Sequence, residues 1–181
     1  EAQEGLGAVP GQASDLAENL YGFEIMVGPF AVAELRVSRA LAQKGARLPA
    51  TGSHVYLTDT VEGPNTKPPV LSFYFKPIAE QHAKALKIKA DVPVIICLGN
   101  PPYDRTKAVD DTNVARTGHW VRWGDGGKGA GAIFKDFLDP AVAAGHGVRV
   151  HNLYNLYVYF WRWALWKVFE SKTAAGPGIA S

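Results

Sequence analysis

Val92–Tyr103 reads VPVIICLGNPPY, and the way its two halves meet decides the fold. Val92–Leu98 is a short apolar run rich in β-branched residues, the pattern of a strand buried on both faces in a parallel sheet. Gly99 ends it. Asn100 then precedes Pro101 and Pro102, so its backbone is held in extended geometry and the loop beyond it is stiffened. Upstream, Pro77–Lys89 reads as a helix, with Lys84, Lys87 and Lys89 placed favourably against its C-terminal dipole. His54–Thr58 (HVYLT) reads as a second strand, and Asp59 stands where it gives way to a loop rich in Pro, Gly and Asn at 62–69. Pro29–Lys44 carries Phe30, Ala33, Leu35, Val37 and Leu41 at helical spacing, with Pro29 at the start and Gly45 past the end. Tyr21–Val27 (YGFEIMV) reads as the first strand. Strand, helix, strand, helix, strand with short connections predicts an α/β unit with a mostly parallel sheet.

Residues 1–20 read as a lead-in with a short helix at Ser14–Leu20, and residues 21–181 as the α/β unit. Downstream of the decisive stretch, 104–128 reads as a long polar, glycine-rich loop, of the kind that usually has a functional reason. Ala130–Leu138 reads as a short helix. Asn152–Glu170 reads as a long one, apolar nearly all round, with Asn152, Asn155, Tyr159, Arg162 and Glu170 forming a narrow polar stripe. Asn155, Arg162 and Lys167 interrupt its apolar surface, which argues against a membrane span.

The 181 residues are 47% hydrophobic and 20% charged, a globular composition that excludes a disordered tail or a collagen-like repeat. Nineteen Lys and Arg against 17 Asp and Glu give a charge of +2, too small to argue a nucleic-acid partner. The single cysteine, Cys97, permits no internal disulfide and reads as a core residue of a protein in a reducing, cytoplasmic compartment. The five histidines show no metal-ligand spacing. The glycines of 124–131 are followed by no Lys-Ser/Thr pair, so they do not make a phosphate loop. Arg105, Lys107, Arg116 and Arg122, with Trp120 and Trp123, lie where a loop could meet DNA phosphate or an extruded nucleotide, and equally suit a solvated surface. Trp161, Trp163 and Trp166 read as packing residues.

In an open parallel sheet, ligands sit beyond the carboxyl ends of the strands. Glu24, Asp59 and the Asn100-Pro101-Pro102-Tyr103 turn all fall there. The Asn100 side-chain oxygen and the Pro101 carbonyl make two fixed acceptors suited to an NH₂ group, and Tyr103 supplies a flat face for a ring. Two acceptors on an exocyclic amine localise its lone pair for attack on an electrophilic methyl group, which needs no general base.

With ICLGNPPY as its catalytic motif, the sequence resembles the S-adenosylmethionine-dependent amino-methyltransferases of DNA, in particular the N6-adenine enzymes. GFEIMVGPFAVAELRVSRAL is similar to the family's second motif region, which implies that Glu24 binds the cofactor ribose hydroxyls. HVYLTDT is similar to the third, which implies that Asp59 contacts the cofactor adenine. LYNLYVYFWRWALWKVFE resembles a helix of large single-chain restriction-modification enzymes, some of which also carry nuclease and helicase domains. The resemblance implies a Rossmann-like sheet, S-adenosyl-L-methionine as cofactor, and double-stranded DNA with a flipped adenine as partner. It also implies an incomplete domain: residues 1–23 contain no Asp-Pro-Ala-x-Gly-x-Gly-like first motif, and Gly178-Ile179-Ala180 reads as the start of a further strand. An isolated piece of this kind is expected to be inactive, with target-recognition elements elsewhere in the parent chain. Two alternatives stay open. Asn-Pro-Pro-Tyr motifs also occur in enzymes that methylate protein glutamine or RNA guanine amines, and a non-catalytic binding segment of a larger protein would lack a first motif too.

Overall fold

The computed structural model describes residues 8–66, 76–102, 118–125 and 131–173. It is a mixed α/β structure, mostly helical, with one small parallel sheet of two strands. The chain divides into two compact units, Glu1–Thr60 with Pro68–Ala85, and Val61–Lys67 with Leu86–Ser181.

In the first unit the order is α1 (Val9–Asn19), β1 (Gly22–Glu24), α2 (Val27–Gln43) and β2 (Val55–Leu57). Helix α1 lies within the lead-in and starts five residues earlier than Ser14, because Pro10 in its first turn needs no backbone donor there. Helix α2 ends in a full Schellman arrangement: Gly45 N–H donates to Ala42 O at 2.9 Å and Ala46 N–H to Leu41 O at 3.0 Å. Gly45 supplies the left-handed turn, φ 74°, that this ending requires. The strands pair in parallel with Glu24 opposite Leu57, and α2 makes the crossover between them. Ala13, Ala17, Leu41, Val55 and Tyr56 are buried, whereas Leu35 and Val32 on α2 are exposed.

Helix α3 (Lys76–Asp91) agrees with the expected helix within two residues at either end. The second unit continues with α4 (His119–Trp123), α5 (Lys135–Ala143), a 3₁₀ segment (Gly147–Leu153) and α6 (Leu156–Leu165), which runs on into a π-helical turn (Trp166–Glu170). Asn155 caps α6, its Oδ1 accepting from Tyr157 N–H at 2.9 Å. Phe134 is the hub of the unit's core, buried edge-on against Tyr159 with ring centroids 4.8 Å apart. Gly118 enters α4 with φ 86°, and a Cβ there would lie 2.8 Å from the Tyr159 ring. Gly118→Ala is therefore expected to cost roughly 2–3 kcal/mol, the sum of a left-handed alanine and an overpacked ring, measurable by denaturant unfolding.

The structure corrects several expectations. Val92–Leu98 is not a buried strand: Ile95, Ile96 and Leu98 are 59%, 73% and 96% exposed, and the segment belongs to no sheet. Cys97 is likewise exposed and is not a core residue. The reason is that an apolar strand is stable only beside another strand, and among the described residues both strands lie in the first unit. The expected long loop contains α4, and the helix expected at Ala130–Leu138 begins at Lys135. The long helix expected at Asn152–Glu170 is shorter, and its polar stripe is divided: Tyr159 and Arg162 are buried, Asn152 and Glu170 are exposed, and Trp161, expected to pack, is half exposed.

Candidate functional site

Two of the six candidate residues stand at one end of the sheet. Glu24 is the last residue of β1 and Asp59 lies two residues past β2, so both stand at the carboxyl end of the parallel pair. The Glu24 carbonyl accepts from Thr58 N–H at 2.8 Å, which ties the two strand ends together. The Glu24 carboxylate accepts from Met26 N–H at 2.9 Å through Oε1, and so helps to fix the start of α2. Both side chains are half-buried.

Asn100, Pro101 and Pro102 belong to the second unit, in neither helix nor strand. Asn100 and Pro102 are exposed and Pro101 is half-buried. Tyr103 lies outside the described residues, as do Arg105, Lys107 and Arg116 and the strand start expected at Gly178.

The segment that carries Asn100 is rooted in a buried polar knot that sequence reasoning missed. Val92 N–H donates to Ile88 O at 3.2 Å, so the segment leaves directly from the last turn of α3. Lys167, 1% exposed, reaches across from the π-helical turn and donates to Lys89 O at 2.8 Å and to Thr173 Oγ1 at 3.1 Å. Thr173 Oγ1 in turn donates to Val92 O at 3.3 Å. Burial pulls the Lys167 ammonium below the usual lysine range, against the opposing pull of Cys97 and Asp91. Partial desolvation raises the Cys97 thiol, and the Lys167 charge acts the other way. The signal available in the sequence was Tyr159, Arg162, Trp163 and Lys167 at helical spacing, one face rather than a solvated stripe.

Arg162 forms a second buried knot. Its guanidinium bonds Glu170 through Nη1 at 2.8 Å and Nη2 at 2.6 Å, Ile133 O through Nε at 2.8 Å, and Asp136 through Nη2. Burial alone would lower its pKa; the bonds and charges of Glu170 and Asp136 outweigh that and hold it above the ordinary arginine value.

Of the groups expected to meet nucleic acid, Arg122 is stacked between two rings, its guanidinium carbon 4.6 Å from the Trp123 centroid and 4.1 Å from that of Tyr154. Trp120 packs edge-on against Trp166 at 4.8 Å. Trp163 is buried, as a packing residue should be. Among the described residues no group of three or more His, Cys, Asp or Glu could hold a metal, and no helix is long and apolar enough to cross a membrane. An open hollow of about 250 Å³ between Ala141, His146, Arg149, Val150 and Leu153 contains none of the candidate residues. Comparison of the chain with family models, curated proteins and solved structures gives no match.

Proposed function

We propose that the chain is the cofactor-binding and catalytic part of an S-adenosyl-L-methionine-dependent DNA adenine-N6 methyltransferase with a Rossmann-like sheet, acting within a restriction-modification enzyme. The observation that carries this reading is Asn100-Pro101-Pro102 standing at the surface outside any helix or strand, directly after the VIICLG run. Glu24 and Asp59 support it, since two carboxylates at the carboxyl end of a parallel pair are suited to a nucleoside's hydroxyls and amine. With Glu24 Oε1 engaged at Met26, Oε2 is the atom that would accept from a ribose hydroxyl.

S-adenosyl-L-methionine, when bound, supplies an electrophilic methyl group on a sulfonium. The chain's own part is positioning. The adenine leaves the duplex stack, Asn100 Oδ1 and the Pro101 carbonyl accept its two amine protons, and Tyr103 covers its ring. The nitrogen lone pair is thereby localised toward the methyl group, and the proton lost from the amine passes to water.

The test is incubation of the full-length protein with methyl-labelled cofactor and, separately, double-stranded DNA, RNA and a glutamine-containing protein. Label recovered as N6-methyladenine is expected; label only in guanine or glutamine would transfer the same chemistry to another substrate. The exposed Ile95, Ile96 and Leu98 favour a second reading, a non-catalytic binding segment, for which no substrate would take label.

A further inference from the structure

We infer that Lys167 is a positioning residue for the Asn100 segment, acting through the last turn of α3 and through Thr173. The inference rests on the methyltransferase reading only for its consequence on rate. Its geometry is independent of that reading.

The segment Val92–Pro102 has no strand partner among the described residues, so its direction cannot come from a sheet. Its root supplies one hold. Lys89 O is one of the last carbonyls of α3, where an intrahelical donor is lacking and the helix dipole is negative. The Lys167 ammonium supplies that donor. Its bond to Thr173 Oγ1 leaves the threonine's one proton for Val92 O, the first carbonyl of the segment. Ser171 Oγ donates to Lys167 O at 2.9 Å and closes the turn from the other side. The chain Lys89 O, Lys167 Nζ, Thr173 Oγ1, Val92 O therefore grips both sides of the junction between helix and segment. A buried ammonium is costly, and a methionine of similar length would fill the space without that cost but could grip nothing. Burial disfavours the ammonium, and the carboxylate of Asp91 at the end of α3 works against that.

Lys167→Met and Thr173→Val in the full-length protein test this. Methyl-transfer kcat is expected to fall about tenfold in both, with cofactor KM unchanged, because a loosened root misplaces the reacting group without touching the cofactor. Hydrogen exchange of the Val92 amide, which is bonded to Ile88 O at the root, is followed by peptide mass and should quicken about tenfold in both variants. Unchanged exchange in both variants overturns the inference, as does a kcat unchanged in both or a KM that rises in step with the fall in kcat. If the wild-type protein transfers no methyl group, the proposed function fails, and the Val92 exchange still decides whether Lys167 and Thr173 hold the root. Should Lys167→Met not fold, a Thr173→Val protein with wild-type kcat and wild-type exchange is enough to reject it.

Discussion

Asn100→Ala is expected to lower methyl transfer by the full-length protein by about 10²–10³-fold, the usual effect of removing one preorganised polar group aimed at the reacting atom. Cofactor affinity should stay within about twofold, because Asn100 is assigned to the amine of the substrate and the cofactor contacts are assigned to Glu24 and Asp59. Alanine at this position keeps the extended backbone that Pro101 imposes, so the Pro101 carbonyl retains its place and only the side-chain acceptor is lost. The measurements are label transfer to N6-methyladenine under single-turnover conditions and calorimetric binding of the cofactor. Methylation at the wild-type rate would remove Asn100 from the reaction and with it the assignment of the motif.

Asp136→Ala combined with Glu170→Ala is expected to destabilise the second unit by about 3–5 kcal/mol, more than Arg162→Met does. The two substitutions strip the same interaction from opposite ends, and burial decides between them. Arg162 is 1% exposed, whereas the side chains of Asp136 and Glu170 are 65% and 46% exposed. Removing the carboxylates leaves a buried guanidinium that keeps its bond to Ile133 O and loses both opposite charges. Removing the guanidinium leaves two carboxylates that water can solvate and one carbonyl short of a donor, a loss of about 1–3 kcal/mol. Urea unfolding of the three proteins checks the order. An Arg162→Met variant less stable than the double alanine would mean that packing of the arginine stem, rather than its charge, holds α6 against α5.

The helix boundaries were largely legible in local chemistry. Pro29 lies in the first turn of α2, Gly45 stands just past its end and Asn155 caps α6, because caps and turns depend on backbone donors and φ angles within a few residues of one another. The parallel pairing of β1 with β2 followed from one amphipathic helix between two short apolar runs. The placement of Glu24 and Asp59 at the carboxyl end of that pair then followed from chain order alone.

Where side chains go was much less legible. The VPVIICL run has the composition of a central strand, yet strand formation needs a neighbour's N–H and C=O groups, which the run cannot supply for itself. Arg162 and Lys167 look like solvated positions in sequence, since charged groups are seldom fully buried. What makes them core residues is the meeting of Asp136, Glu170, Lys89 and Thr173 from other turns and helices, contacts 6 to 78 residues away in the chain. The amino-acid sequence by itself thus marked α2, α3 and the parallel pair and singled out Asn-Pro-Pro as a candidate site, while α4 and the ends of α1, α5 and α6 depend on packing it does not show. Only the tertiary structure decided that Lys167 is buried and bonded to Lys89 O and Thr173 beside the start of the segment bearing Asn100, because long-range donors and acceptors exist only once the chain has folded.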